Sequence, residues 1–363
     1  MKRLCKMGQF GVKKYFFLLC IFILCLSFCG CGNNRNSETN NTEEMQSSED
    51  TAKESNLCIV TCANEKTAIL YDLATYDGEN LDNSEVWRFT ADAPELTGKS
   101  EEMSSAKYRE GTVFGDVVIV SCGNGYAAIV SYPEKEILWQ VFNAGKNAHS
   151  IEILPSGNIV VVSSTGGTIR LFAASAILQN DTETASTYKE YPIKEGHGVL
   201  WDPEYDVLWT LGWNDLKAYS VVGEGIDEEL QLREDMGAAK YGLEGHDLTA
   251  DFQDSKYLWV SGMKHMYHVN KETGEMSTDF EHSDQLEWPT IRGFGNDPYG
   301  NYYVTMPSHG VGTSWENASY ASWSTDKINF YYPSEDGTTL ENIKCKSQTK
   351  VFYKVFSFYG KYQ

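Results

Sequence analysis

From Leu57 onward the chain alternates short apolar runs with small polar turns. Leu57 opens LCIVTCANEKTAILYDL, Asp116 opens DVVIVSCGNGYAAIVSY, Asn158 opens NIVVVSSTGGTIRLF, Asp206 opens DVLWTLGWNDLKAYSV and Tyr257 opens YLWVSGMKHMYHVN. Each reads as an apolar strand, a Gly/Asn/Asp/Ser-type turn and a second strand, so a hairpin recurs along the chain. Strong helical periodicity is absent. A further short segment precedes each hairpin from the second onward: SSAKYRE, NAHSIEILPSG, GHGVLWDPEY, GHDLTADFQDS and TIRGFGNDPYG. In these segments Lys107, His149, His197, His246 and Arg292 recur at spacings of 42, 48, 49 and 46 residues. Units in the forties, with about four strands each, predict propeller blades. EVWRF around Trp87, EILWQV around Trp139 and the last run, KVFYKVFSF from Lys350, read as outer strands. With the N-terminal hairpin the count is six. The first blade has no innermost strand ahead of Leu57, so it is either short or completed by the C-terminal segment. The expectation is an all-β, six-bladed β-propeller over residues 57–363.

The first thirty residues have a different pattern. Lys2, Arg3, Lys6, Lys13 and Lys14 precede an uncharged run, Tyr15–Cys29 (YFFLLCIFILCLSFC). Fifteen residues are short for a membrane span, which takes about 20. A basic start, an apolar middle and small residues afterward read as an export signal. Gly30-Cys31-Gly32 then offers a cysteine behind a small residue, as a lipoprotein signal peptidase requires. Residues 1–30 are therefore read as a lipoprotein signal peptide and Cys31 as the lipidation site. Ordinary secretion and an uncleaved anchor are the alternatives. Residues 31–56 are Asn/Ser/Thr/Glu-rich with almost nothing to bury, a disordered tether. The order of parts implies a membrane partner through the lipid and a place in the cell envelope, on the extracytoplasmic side.

Composition narrows the partners. Lys+Arg total 30 and Asp+Glu 51, a net charge of −21. Without the basic leader, 25 basic residues face 51 acidic ones, or −26. Such a surface repels phosphate backbones, so nucleic acid is excluded as an expected partner, and a monomer is expected. Of nine cysteines, only Cys58, Cys62, Cys122 and Cys345 lie in the domain. They form no C-x-x-C pair and read as buried thiols.

The recurring cationic and imidazole positions are the candidate chemistry. Inner strands of a propeller run along its axis, so Lys107, His149, His197, His246 and Arg292 are read as a ligand-binding ring. Three of the seven histidines fall in this one register. Neutral imidazoles of His149, His197 and His246 could hold a divalent metal, with open positions for substrate. Alternatively, Lys107 and Arg292 with hydrogen-bonding histidines could take an anion such as a uronic acid. The competing structural reading is that the Gly-His pairs at Gly196-His197 and Gly245-His246 serve only their own sheets. Glu152, Asp202 and Asp247 follow the ring histidines closely, as acids or as partners that orient imidazoles. Trp201, Trp209 and Trp213 could stack on sugars or pack between sheets. The segment Pro307–Trp323 (PSHGVGTSWENASYASW) reads as a loop able to cover a channel mouth, with His309, Trp315 and Trp323 in reach of a ligand.

The sequence resembles an uncharacterised family of secreted bacterial proteins, a domain of unknown function with a six-bladed propeller. The likeness rests on Asn147–Phe172 (NAHSIEILPSGNIVVVSSTGGTIRLF), Gly196–Leu211 (GHGVLWDPEYDVLWTL), Gly245–Leu248 (GHDL), Trp323–Lys327 (WSTDK) and the closing Phe352–Lys354 (FYK). It spans most of residues 57–357 and implies the fold without an established activity. Arg292 stands where lysine is expected, and the loop around Ser308–Ser322 looks specific to this chain. The combined expectation is a lipid-anchored propeller that binds a small or polymeric ligand, an acidic carbohydrate first, at the axial channel mouth. A metal-assisted polysaccharide lyase or hydrolase and a protein-interaction scaffold are the alternatives.

Overall fold

The computed structural model describes residues 56–97, 102–240, 242–286, 288–307 and 322–360. The proposed signal peptide, Cys31, the tether and residues 308–321 lie outside them. Six four-stranded antiparallel sheets make up the fold. In chain order the strands are β1 (Leu57–Cys62), β2 (Thr67–Asp72) and β3 (Glu85–Thr90); β4 (Met103–Thr112), β5 (Gly115–Cys122), β6 (Ala127–Ser131) and β7 (Ile137–Val141); β8 (Ala148–Ile153), β9 (Ile159–Ser163), β10 (Thr168–Phe172) and β11 (Tyr188–Pro192). They continue with β12 (Gly198–Asp202), β13 (Val207–Leu211), β14 (Asp215–Val222) and β15 (Glu229–Ala239); β16 (Asp247–Ala250), β17 (Tyr257–Ser261), β18 (Met266–Asn270) and β19 (Met276–Ser277). The last are β20 (Gly293–Asn296), β21 (Tyr302–Thr305), β22 (Lys327–Pro333), β23 (Leu340–Lys346) and β24 (Phe352–Ser357). The protein is an all-β six-bladed propeller.

The run from Lys350 corrects its reading as an outer strand. β24 pairs with β1, Ile59 against Phe356 and Val60 against Val355, and so supplies the innermost strand of the first blade. Of the two ways to finish that blade, completion by the C-terminal segment is the one observed. It removes the free inner edge that the first sheet would otherwise expose.

The apolar runs are continuous because both faces of each middle strand are covered. In β5, Val118 and Val120 join the cluster shared with the first blade, through Ile59, Leu70 and Trp87. Val117 and Ile119 join the next cluster, with Ile151, Val161 and Phe172 of the third blade. The same arrangement recurs between every neighbouring pair of blades. A strand buried on both faces loses the polar alternation of a half-exposed one. Toward the axis the strands crowd. A Cβ on Gly198 would lie 2.4 Å from Leu248 Cβ, and one on Gly293 2.4 Å from Val355 N, so only glycine fits there.

Trp201 and Trp209 are buried packing residues between blades. Trp209 Nε1 donates to Asp202 Oδ2 at 3.0 Å, and Lys271 pairs with the same oxygen at 2.7 Å. That uses Asp202 to join two blades and takes it out of the candidate chemistry. The four domain cysteines are free and buried.

Candidate functional site

Four of the six inner strands are entered through the same local kink. Asn147, Glu195, Glu244 and Thr290 have φ of 57°, 48°, 49° and 63°. Each sits two residues ahead of His149, His197, His246 or Arg292. A left-handed residue costs strain outside glycine, so four at equivalent places mark a position that the blade-to-blade crossing requires. Ladder hydrogen bonds then hold three of the ring residues alike: His197 N donates to Leu211 O, His246 N to Ser261 O and Arg292 N to Thr305 O.

Four of the five ring candidates gather at this end of the axis. The His149 and His197 rings lie 4.5 Å apart between centroids, and those of His197 and His246 5.1 Å apart. Arg292 Nη1 donates to His246 Nε2. Two residues that sequence reasoning missed complete the cluster, both from β24. The Tyr353 hydroxyl hydrogen-bonds His149 Nδ1 at 3.1 Å, and Lys354 Nζ donates to His197 O at 3.1 Å and to Asp247 Oδ1 at 2.9 Å. Trp323 packs edge-on against Tyr353, 5.5 Å between centroids. His309 and Trp315 lie outside the described residues.

Lys107 is not in this register. The pair Met103–Cys122 in the second blade corresponds to Ala148–Ser163 in the third, and a bulge follows both. The counterpart of His149 is therefore Ser104, whose hydroxyl donates to Ala148 O. Lys107 lies further along the axis. Its Nζ reaches Val199 O, two residues beyond the His197 carbonyl that Lys354 takes, and it pairs with Glu152 at 3.4 Å. Arg109 grips Glu152 through both nitrogens, Nε–Oε1 2.8 Å and Nη2–Oε2 2.7 Å.

The imidazoles are held neutral. Burial, then His197, Lys354, His246 and Arg292, push His149 well below the ordinary imidazole range. Burial brings His197 down to about 4, against the opposing pull of the Glu195 carbonyl. Burial and Arg292 bring His246 down to about 2. Glu102, at the entry to β4, is pushed up to about 7 by burial, with Lys354 opposing.

Two donors in the cluster have no acceptor among the described residues. Arginine cannot accept, so His246 Nε2 is the acceptor of the Arg292 bond and the ring carries its proton on Nδ1. That His246 Nδ1 has no hydrogen-bond partner, and neither has Arg292 Nε. Arg292 is 9 % exposed and His246 8 %. Among the described residues Arg292 pairs with no carboxylate, in contrast to Lys107, Arg109 and Lys354. A buried donor without an acceptor costs about 1–3 kcal/mol, more when charged, and an anionic ligand relieves that cost.

The imidazoles come together, but not as a metal-ligand set. Among the described residues no group of three or more His, Cys, Asp or Glu has the geometry to hold an ion. His246 Nε2 is occupied by the Arg292 guanidinium, while His149 and His197 engage their Nδ1 atoms, with Tyr353 and with the Glu195 carbonyl at 2.9 Å.

Comparison with known proteins gives the family and the fold. Residues 79–312 match a family of unknown function, DUF6528, and the chain belongs to that family. No curated protein matches the sequence. Among solved structures the fold is similar to that of a protein of unknown function from Bacteroides caccae, with TM-score 0.52 and 11 % identity over 83 % of this chain and 97 % of that one. Dihydro-heme d1 dehydrogenase NirN in complex with DHE gives 0.41 and 12 %, over 83 % of this chain and 55 % of that one. A functionally unknown protein from Desulfotomaculum acetoxidans gives 0.45 and 11 %, over 80 % and 79 %. The first likeness supports the fold; the other two are too distant to carry an argument.

Proposed function

We propose that this DUF6528 member is a lipid-anchored, extracytoplasmic binding protein that takes a carboxylate-bearing ligand, an acidic sugar, at the histidine end of its axis. One observation carries the reading: among the described residues the buried Arg292 has no carboxylate partner, and its Nε–H and the Nδ1–H of His246, to which it is bonded through Nη1, are both unpaired. A carboxylate offers acceptors of the kind these donors lack. Neutral imidazoles add hydrogen bonds to hydroxyls without titrating at physiological pH. The basic, apolar leader and the Asn/Ser-rich tether after Cys31 support the address.

Calorimetry with galacturonate and galactose tests it. Saturable binding of the acid, lost in Arg292→Gln and in His246→Phe with the fold intact, supports the reading. Equal affinity for the neutral sugar, or indifference to both changes, overturns it. A lyase or hydrolase acting on the same ligand draws support from Tyr353 and His149, an acid–base pair 3.1 Å apart at the same end. Incubation with polyuronates, followed by the absorbance of an unsaturated product or by reducing ends, separates turnover from binding.

A further inference from the structure

The histidine end also holds a carboxyl that the ring positions do not include. The correspondence of Met103 with Ala148 puts Glu102 level with Asn147, one residue ahead of β4. A Cβ on Gly123 would lie 3.4 Å from Glu102 Oε2 and 3.2 Å from Asn147 Oδ1, so the carboxyl and the amide approach the same spot. Glu102 is partly buried, yet among the described residues its carboxyl has neither a hydrogen bond nor an ion pair. The one charge that acts on it is Lys354, and Asp247 already holds that ammonium at 2.9 Å. Burial pushes the Tyr353 hydroxyl up, Glu102 adds to the rise and Arg292 opposes it, so the carboxyl and the guanidinium both act on this one phenol. Glu195 and Glu244 hold the equivalent places ahead of His197 and His246, but neither carboxylate is among the charges that act on those imidazoles.

We propose that the ligand of the histidine end is a zwitterion, an acidic sugar that also bears a free amino group, with its carboxylate taken by Arg292 and His246 and its ammonium by Glu102. The inference rests on the anion reading of that end and names the second charge of the same ligand. Charge complementarity selects it. The cluster holds one cation and one carboxyl without partners among the described residues, and a ligand with one charge of each sign satisfies both. A plain uronate satisfies Arg292 but leaves Glu102 bare, in the same cluster as an incoming charge of like sign. Spacing selects the sugar. Arg292 precedes β20 of the sixth blade and Glu102 precedes β4 of the second, and β24 of the first blade packs against both strands. The two charges of the ligand therefore stand apart, as the amine and carboxylate of an amino-uronate do across its ring. An α-amino acid carries both on one carbon.

Calorimetry on the purified full-length protein compares glucosaminuronate with its N-acetyl derivative, glucuronate, glucosamine and alanine. The amino-uronate is expected to bind about tenfold or more tighter than any of the other four, the usual worth of a charged hydrogen bond. Arg292→Gln is expected to weaken both glucosaminuronate and glucuronate, and Glu102→Gln to erase the preference for the amine. Thermal unfolding confirms that each variant folds. The wild-type protein gives a second readout that needs no variant. Glu102 is faced by Lys354 and Tyr353 of β24 and by Asn147 ahead of β8. Its carboxyl is neutral in mild acid and ionises through about 7, so the preference for the amine should grow between about pH 5.5 and pH 7. Equal affinity for glucosaminuronate and glucuronate, a preference that survives a folded Glu102→Gln, or a preference that ignores pH overturns the proposal. Glucuronate binding that Arg292→Gln removes then leaves the anion reading standing, whereas binding of neither acid overturns both.

Discussion

Replacing Lys354 by methionine removes a positive charge from the centre of the propeller with little change in shape. The ammonium is fully buried, 2.9 Å from Asp247 Oδ1 and 3.1 Å from the His197 carbonyl. The variant strands the Asp247 carboxylate, whose other oxygen still accepts from Phe294 N at 3.1 Å. Breaking a buried pair by removing one partner costs about 3–5 kcal/mol. At roughly 2 °C of Tm per kcal/mol for a domain of this size, thermal unfolding should shift down by about 6–10 °C. Lys354→Met with Asp247→Asn removes both charges and should recover at least half of that loss, because neutralising the stranded carboxylate is cheaper than leaving it charged. The same variant withdraws a cation that depresses His149 and His197, so both imidazoles should titrate at higher pH by NMR. A single variant as stable as wild type, or a double variant worse than the single, would refute the assignment of Lys354 as the buried counter-charge.

Other predictions follow from the same geometry. His197 titrates near 6.5 when unfolded and about 4 when folded, so its contribution is complete above pH 6.5 and lost as pH falls toward 4. At about 1.4 kcal/mol for each tenfold change in proton affinity, that is about 3 kcal/mol, so urea midpoints should fall between pH 7 and 5, and His197→Gln should flatten the fall. Glu102 works against this trend: its contribution is present below 4.5 and lost as pH rises through about 7, so Glu102→Gln should steepen the fall. A truncation that ends before Phe352 removes buried Phe352, Tyr353, Val355 and Phe356, on the order of 6–12 kcal/mol of burial; circular dichroism should show no cooperative unfolding. Cys31→Ser should abolish incorporation of labelled fatty acid and release the protein from membranes, whereas labelling that persists would remove the proposed anchor.

The blade count was legible because every blade repeats an apolar hairpin and the spacing stays in the forties. Closure of the ring was ambiguous for a physical reason. KVFYKVFSF has the alternation of a sheet strand, and nothing in that pattern distinguishes an inner strand from an outer one. A buried lysine reads as a solvent-facing residue until its partner is seen, so Lys354 and Tyr353 escaped notice although Phe352–Lys354 stood out as a motif. Lys107 was assigned to the ring because it is the first cation in its segment, whereas the residue that corresponds to His149 is Ser104, three positions earlier, whose small hydroxyl gives no such signal. The left-handed residues ahead of each ring position were a usable signal at two places, as the repeated Glu-Gly-His of Glu195–His197 and Glu244–His246. Trp201 and Trp209 read equally as sugar platforms or as packing, since composition cannot distinguish an aromatic between sheets from one beside a ligand.

Two donors at the histidine end lack acceptors among the described residues, and proton–nitrogen NMR observes both. Galacturonate and galactose are titrated in turn while the Arg292 Nε–H and His246 Nδ1–H resonances are followed. Both should move downfield in a saturable way with galacturonate and stay in place with galactose, the response of N–H groups that gain a charged acceptor. Resonances that ignore the acid, or that shift equally with both sugars, would contradict an anion site at the histidine end of the propeller.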